Sequence, residues 1–421
     1  MDNYSLYELN NKLRYLLVPL DIHNSCSVHI YVKIGSVYEN MLYNGISHFI
    51  EHMVFKGTKK RKNSKILLNE MDKIGAEYNA YTDNYLTVYH FKVNYKYLDV
   101  ALDIFSDMLF NSVFNKKEID LERKVIFEEM LKGKDDTDIY LDDLIPEYLF
   151  KNHELSKSVI GNRKTLMNCN KKILTEFYKK YYIPSNMCIS ICGKYNKNKI
   201  HSMIKKYFSQ SSNLIIDKKI IKKYNYDIKY KLIDKYKDIE QSVIGMVFPT
   251  FDLYDNRKYT LDLLETILAG NMSSILYFKI REKEGLVYSI SCDSELYNSG
   301  GYLIIKFASN YRNIKTAIEH IIKELNILKK KGITLEKLND SKEYLNSSIY
   351  MINENNSNIA EYYGRSLALN EKIESISKYI NKINNITLND IKLLCNNIFD
   401  YSKMLIFNIG KKKLLNPLFS I

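Results

Sequence analysis

The chain lacks any apolar run approaching the ~20 residues that a membrane-spanning helix requires, so no membrane span is expected. Its opening residues, Met1-Asp2-Asn3-Tyr4-Ser5-Leu6-Tyr7, lack a basic segment followed by an apolar stretch. They also lack the Arg/Ser-rich amphipathic pattern of an organellar presequence. The expectation is a cytoplasmic protein, or one from which a leader has been removed. Cysteine is scarce: Cys26, Cys169, Cys188, Cys192, Cys292 and Cys395 show no zinc-finger spacing. Cys188 and Cys192 fall on one side of a strand-like segment, Met187-Cys-Ile-Ser-Ile-Cys192, and read as small, reduced core residues, as expected in the cytoplasm. Motifs for nucleic-acid binding are missing too. The net charge of +13 comes from scattered lysines in short runs such as Lys59-Lys60-Arg61-Lys62. A coding bias toward Lys, Asn, Ile and Tyr accounts for it, and no nucleic-acid partner is expected.

Histidine is also scarce, with eight in 421 residues, yet two stand four apart in His48-Phe49-Ile50-Glu51-His52. On a helix, positions i and i+4 lie one above the other, so both imidazoles point the same way and can share one tetrahedral metal ion. Glu51 sits beside them at i+3. The order His-x-x-Glu-His is the inverse of the His-Glu-x-x-His zinc helix. Zinc takes neutral imidazole nitrogen, and a catalytic site keeps one position for water, whose pKa falls toward roughly 7. A carboxylate beside that water can take its proton, which is the role predicted for Glu51. The stretch Gly45 to Gly57 reads as one helix whose apolar face is Ile46, Phe49, Ile50 and Met53. The other six histidines stand singly and read as structural or surface residues.

A tetrahedral site needs a third protein ligand. Residues Asn115 to Lys132 form a second helical run, with apolar positions at Ile119, Val125, Ile126 and Met130. Glu122 and Glu129 are seven apart, so at about 100° per residue they lie within about 20° of one another. Both fall near the stripe of Ile119 and Ile126, whereas Glu128 lies about 100° away on the flank. Carboxylates facing a core are costly unless paired or metal-bound. Glu129 is therefore predicted as the third ligand, and Glu122 as the acid that orients a ligating histidine.

With these residues in place, the chain resembles the pitrilysin/insulinase family of zinc metallopeptidases, in the branch of mitochondrial processing peptidase and its bacterial relatives. That family carries Gly-x-x-His-Phe-Leu-Glu-His-Met-x-Phe-Lys-Gly-Thr, matched by Gly45 to Thr58 with Ile50 in place of Leu. Its Glu-Arg-x-Val-Ile-x-x-Glu is matched by Glu122 to Glu129. The block Gly75-Ala-Glu-Tyr-Asn79-Ala80-Tyr-Thr82, followed by Thr87-Val-Tyr89, is similar to the family's strand beside the zinc helix. The resemblance implies that the Asn79-Ala80 backbone pairs with an extended peptide substrate; Tyr85 departs from the family's usual acid. Ala269-Gly-Asn-Met-Ser-Ser274 with Arg281-Glu-Lys-Glu-Gly-Leu-Val-Tyr288-Ser289 is similar to a block in which the Arg and Tyr reach the scissile peptide. A phenol or guanidinium donor stabilises the oxyanion of a tetrahedral intermediate.

The chain also repeats itself. Tyr182 to Gly193 parallels Asp400 to Gly410, and Val28 to Ile34 parallels Val243 to Pro249, at nearly equal offsets. The expectation is an α+β chain of two homologous domains, each an antiparallel or mixed sheet with helices on one face: residues 1–210 with the zinc site, a linker over 211–225, and residues 226–421 without zinc but with Arg281 and Tyr288. The repeat of the zinc helix falls near Thr260 to Gly270 and has no histidine. The resemblance implies half of a clamshell, hence a homodimer or a heterodimer with a related chain. The predicted activity is zinc-dependent endopeptidase cleavage of extended, unfolded or presequence-like peptides, with one Zn2+ per chain. Two other readings are a non-catalytic subunit, which the intact ligand set opposes, and a charge-driven nucleic-acid or membrane-surface binder.

Overall fold

The computed structural model describes residues 4–210, 216, 220–369 and 372–414. Of the expected linker 211–225, residues 211–215 and 217–219 lie outside the described residues. The chain forms two compact α+β units, each built on one mixed sheet.

The first sheet contains β1 (Ser5–Glu8), β2 (Arg14–Pro19), β3 (Ser25–Val32), β4 (Glu77–Thr82), β5 (Thr87–Asn94) and β6 (Met187–Gly193), in the order β1-β2-β6-β3-β5-β4. Strand β2 runs parallel to β6, and the other neighbours are antiparallel. The second sheet contains β7 (Lys231–Tyr236), β8 (Ser242–Thr250), β9 (Ser289–Tyr297), β10 (Gly300–Ser309) and β11 (Leu405–Gly410), in the order β7-β11-β8-β10-β9. Its one parallel pair is β7 with β11. Removing β1 leaves the same order and the same single parallel pair in both sheets, which is the repeat expected from the sequence.

Strand β3 illustrates how the sequence selects its faces. Cys26, Val28, Ile30 and Val32 alternate into the hydrophobic core, while Ser27, His29 and Tyr31 point the other way. The core on the first face is closed by α1 (Ile46–Val54), α2 (Leu98–Asn111) and α3 (Lys116–Asp135). Phe49, Ile50 and Met53 of α1 are fully buried, each stabilising the unit by about 2 kcal/mol. The helix stops at Val54, short of the expected Gly57, which lies in the following loop with φ +132. On α3, Ile119 and Ile126 are buried as expected, but Val125 is 40% exposed because it lies one position off the stripe.

The other face of each sheet carries a helix from the opposite half of the sequence. Residues 133–156 belong to the second unit, where α4 (Thr137–Leu149) packs on β8 and β11, with Leu141 over Gly245. In that unit, α5 (Lys258–Ala269), α6 (Tyr311–Lys331) and α7 (Leu335–Ile352) bury residues on the core face. Residues 351–375 belong to the first unit, where α8 (Asn356–Ala368) packs on β3 and β6. A β-carbon at Gly364 would meet the Tyr31 ring at 2.4 Å, so only glycine allows this approach. These units cut across the contiguous division 1–210 and 226–421. A sheet buried on both faces needs a second apolar cover, and the hydrophobic pattern of a helix does not say which sheet it will cover.

Candidate metal centre

The start of α1 is built around a buried acid. Gly45, the residue before the helix, has φ +94, and a β-carbon there would lie 2.5 Å from the carbonyl oxygen of Ile160. Glu39, 4% exposed, accepts hydrogen bonds from the backbone N–H of Gly45 at 2.6 Å and of Ser47 at 2.8 Å. Its carboxylate satisfies donors that a helix N-terminus leaves free and complements the helix dipole. This anchoring sets the rotation of α1: Ile46, Phe49, Ile50 and Met53 enter the core, and His48 and His52 emerge along one flank.

Opposite that flank, α3 presents Glu122 and Glu129. His52 Nδ1 lies 3.1 Å from Glu122 Oε2, and Glu122 Oε1 is 2.6 Å from Lys56 Nζ. A carboxylate accepts only, so His52 carries a proton on Nδ1 and turns Nε2 outward. That atom lies 3.4 Å from His48 Nε2 and 3.4 Å from Glu129 Oε2, and His48 Nε2 is 3.9 Å from the same oxygen. His48, His52 and Glu129 each offer one ligand atom, all within 4.8 Å of one another, and they form the one such group found among the described residues.

The electrostatics match this geometry. Burial, aided by the neighbouring His52, lowers the His48 pKa to about 4 and keeps the imidazole neutral. Burial also disfavours charge on His52, but the hydrogen bonds to Glu122 and Glu129 outweigh it and raise its pKa to about 9. Glu129 is held below its ordinary range, first by the His52 hydrogen bond. The acids around His52 thus favour positive charge at Nε2, and a metal ion that displaces its proton would meet two imidazole nitrogens and an ionised carboxylate. That donor set suits a divalent metal of the zinc type. His48 Nδ1 is buried with no hydrogen-bond partner in the structure.

Glu51 stands beside these groups, 8% exposed, with Oε2 accepting a 2.6 Å hydrogen bond from Thr82 Oγ1 at the end of β4. Burial raises its pKa, and the Thr82 hydrogen bond and the proximity of His52 work against that rise. Strand β4 is the edge of its sheet, with Asn79 exposed and Ala80 half-buried. Tyr85, where the resemblance leads one to expect an acid, is instead buried at the β4–β5 turn.

The second unit holds Arg281 and Tyr288. Arg281 lies in a π-helical turn, Tyr277–Lys283, and its Nε donates to the Tyr288 carbonyl at 2.9 Å. Its guanidinium stacks 4.8 Å from the Tyr277 ring centre and pairs with Glu282, while the Tyr288 side chain is 71% exposed. The repeat of α1 in this unit, α5, has no histidine.

Thr82, Lys56 and Glu39 were not singled out from the sequence. Thr82 was within reach, because strand alternation places it on the same face as Ala80. Glu39 had no local signal, since only the fold brings it to the start of α1.

Residues 17–163 match the model of the insulinase family, peptidase family M16, and residues 168–345 match the model of the peptidase M16 inactive domain. A protein named an uncharacterised zinc protease from Rickettsia felis is 31% identical over 406 residues, covering 94% of this chain and 95% of that one. Among solved structures, a protease from Helicobacter pylori matches with a TM-score of 0.89 at 22% identity, covering 97% of this chain and all of that one. The periplasmic protease PqqL from Escherichia coli matches with a TM-score of 0.79 at 19% identity, covering 98% of this chain but 48% of that one. The similarity in sequence spans nearly the whole length, and the chain belongs to the M16, or insulinase, family of peptidases.

Proposed function

We propose that the protein is a zinc-dependent endopeptidase acting on extended, unfolded peptide segments. The observation that carries this reading is the convergence of His48 Nε2, His52 Nε2 and Glu129 Oε2 within 4.8 Å, with Glu122 fixing the His52 tautomer. In this reading His48, His52 and Glu129 hold one Zn2+, which when bound supplies a Lewis acid that makes water acidic enough to be deprotonated near neutral pH.

The chain's own residues do the rest. Glu51 takes the proton from the attacking water and returns it to the departing amine. Thr82 keeps the Glu51 carboxylate in place, and Glu122 keeps the His52 ring oriented. Asn79 and Ala80 align the substrate by main-chain hydrogen bonds along the free edge of β4, which favours extended chains of varied sequence. Arg281 and Tyr288 donate to the developing oxyanion. We further propose that the working form is a dimer in which the Arg281 and Tyr288 of one chain serve the metal centre of its partner.

The test is metal analysis of the purified protein together with hydrolysis of an unstructured fluorogenic peptide. About one zinc per chain and zinc-dependent cleavage are expected; cleavage by a metal-free protein overturns the reading. Sedimentation addresses the dimer, and an active monomer overturns that part alone.

A further inference from the structure

The edge strand β4 is gripped from behind by a helix far away in the sequence. Along β4, Ala80 packs toward the core and Thr82 toward Glu51, whereas Tyr81 points to the opposite face, where α8 lies. The Tyr81 hydroxyl donates to Glu361 Oε1, across 280 positions of sequence. The other oxygen of Glu361 accepts from Tyr31 Oη at 2.9 Å and lies 2.7 Å from His29 Nδ1. One turn along the same helix, Arg365 Nη1 pairs with Asp83 Oδ2 at 2.6 Å. Asp83 Oδ1 in turn accepts from the backbone N–H groups of Tyr85 and Leu86, both at 2.7 Å, closing the β4–β5 turn.

Two residues four apart on α8 therefore hold the residues on either side of Thr82. An edge strand has a hydrogen-bonded neighbour on one side only, so its position depends more than that of an inner strand on what its side chains meet. The docking of α8 itself does not need this pair. Arg14 Nη2 donates to the Leu367 carbonyl at 3.1 Å, Asn356 Nδ2 donates to the Ser25 carbonyl at 3.2 Å, and Gly364 sits against Tyr31.

We propose that Glu361 and Arg365 are positioning residues of the candidate active site, clamping Tyr81 and Asp83 so that β4 keeps its free edge in register for a peptide and Thr82 keeps its hydrogen bond to Glu51. The functional half of this proposal rests on the peptidase reading; the mechanical half does not. The clamp comes from residues 351–375, which are continuous at both ends with the second unit's chain.

The experiment compares wild type with Tyr81→Phe, Glu361→Gln, Arg365→Met and Arg365→Lys. Three measurements are made on each: bound zinc, hydrogen exchange by mass spectrometry, and kcat and KM on an unstructured fluorogenic peptide. Tyr81→Phe removes a single hydroxyl and keeps the test valid should Glu361→Gln fold poorly. In Tyr81→Phe and Arg365→Met, loss of the clamp raises amide exchange over residues 77–86 by about tenfold, the worth of one hydrogen bond to a charged group, and leaves residues 25–32 and 46–54 unchanged; Glu361→Gln, which also loses its contacts to His29 and Tyr31, raises exchange over 25–32 as well. Zinc content stays at the wild-type level, and kcat/KM falls about tenfold, mainly through KM. Arg365→Lys, which keeps the charge, recovers part of what Arg365→Met loses. In well-folded Tyr81→Phe, unchanged exchange over 77–86, exchange that rises equally through β3, or an unaltered KM overturns the proposal. A wild type that cuts no peptide overturns the peptidase reading, while the exchange result still decides whether the clamp exists.

Discussion

The hydroxyl of Thr82 donates a 2.6 Å hydrogen bond to Oε2 of Glu51, joining the last residue of an edge strand to the acid that stands beside two histidines. A base that must take a proton from one place and deliver it to another needs a fixed starting position. Here the hydroxyl supplies it without adding a charge. The same contact links the strand proposed to align a peptide to the group proposed to cut it.

Replacing Glu51 with Gln keeps the shape and removes the basic oxygen. Bound zinc is expected to remain near wild type, because Glu51 is not among the three converging ligand groups. Peptide turnover is expected to fall by about 10²–10⁴-fold, the usual contribution of a general base. Zinc analysis beside a peptide assay checks both halves; retained turnover removes Glu51 from the mechanism.

Glu129→Gln and Glu128→Gln separate the ligand from its neighbour on α3. Glu129 Oε2 lies 3.4 Å from His52 Nε2, whereas Glu128 is an exposed residue. Metal content is expected to collapse in Glu129→Gln and to stay at the wild-type level in Glu128→Gln. The opposite pattern reverses the assignment.

Glu122→Gln leaves His52 Nδ1 with a weaker partner and Lys56 with no carboxylate at that point. Loss of the group that orients a ligating histidine typically costs about 10–100-fold in metal affinity. Competition with a chelator of known strength reads this directly. Unchanged affinity would mean that the ring is held by packing alone.

The acid side of the stability curve should report on Glu361. Burial opposes its ionisation, but the hydrogen bonds to His29, Tyr81 and Tyr31 outweigh it and lower its pKa from 4.5 to about 2. A carboxyl whose folded pKa is depressed contributes stability above its ordinary pKa and loses it as pH falls through the folded value. Wild type should exceed Glu361→Gln by roughly 3 kcal/mol above pH 4.5, and the gap should close between pH 4.5 and about 2. Denaturant melts at a series of pH values measure it. A gap independent of pH contradicts the depressed pKa.

The residues that converge on α1 and α3 were legible because both stretches are helices, and helical periodicity converts spacing directly into direction. That periodicity turns Glu129 rather than Glu128 toward the histidines of α1. The repeat was legible too, since β3 and β8, and β6 and β11, keep recognisable segments at matching intervals. What the sequence hid is contact across the fold. Nothing local says that Glu39 will cap the helix beginning beside Gly45, or that Lys56 will hold Glu122. The exchange of α4 and α8 was hidden for the same reason: an amphipathic helix records that it covers a sheet, not whose sheet it covers. Glu361 and Arg365 read as ordinary helix charges until Tyr81 and Asp83 are placed against them.

The central claim is that the converging His48, His52 and Glu129 hold a zinc ion used to hydrolyse peptides. Its most direct test incubates the purified protein with a mixed library of unstructured peptides in three states: as isolated with zinc, after removal of metal by a chelator, and after zinc is restored, each read by mass spectrometry. Internal cleavage is expected in the first state, none in the second and recovery in the third. Cleavage that survives chelation, or a zinc-loaded protein that leaves every peptide intact, would contradict it.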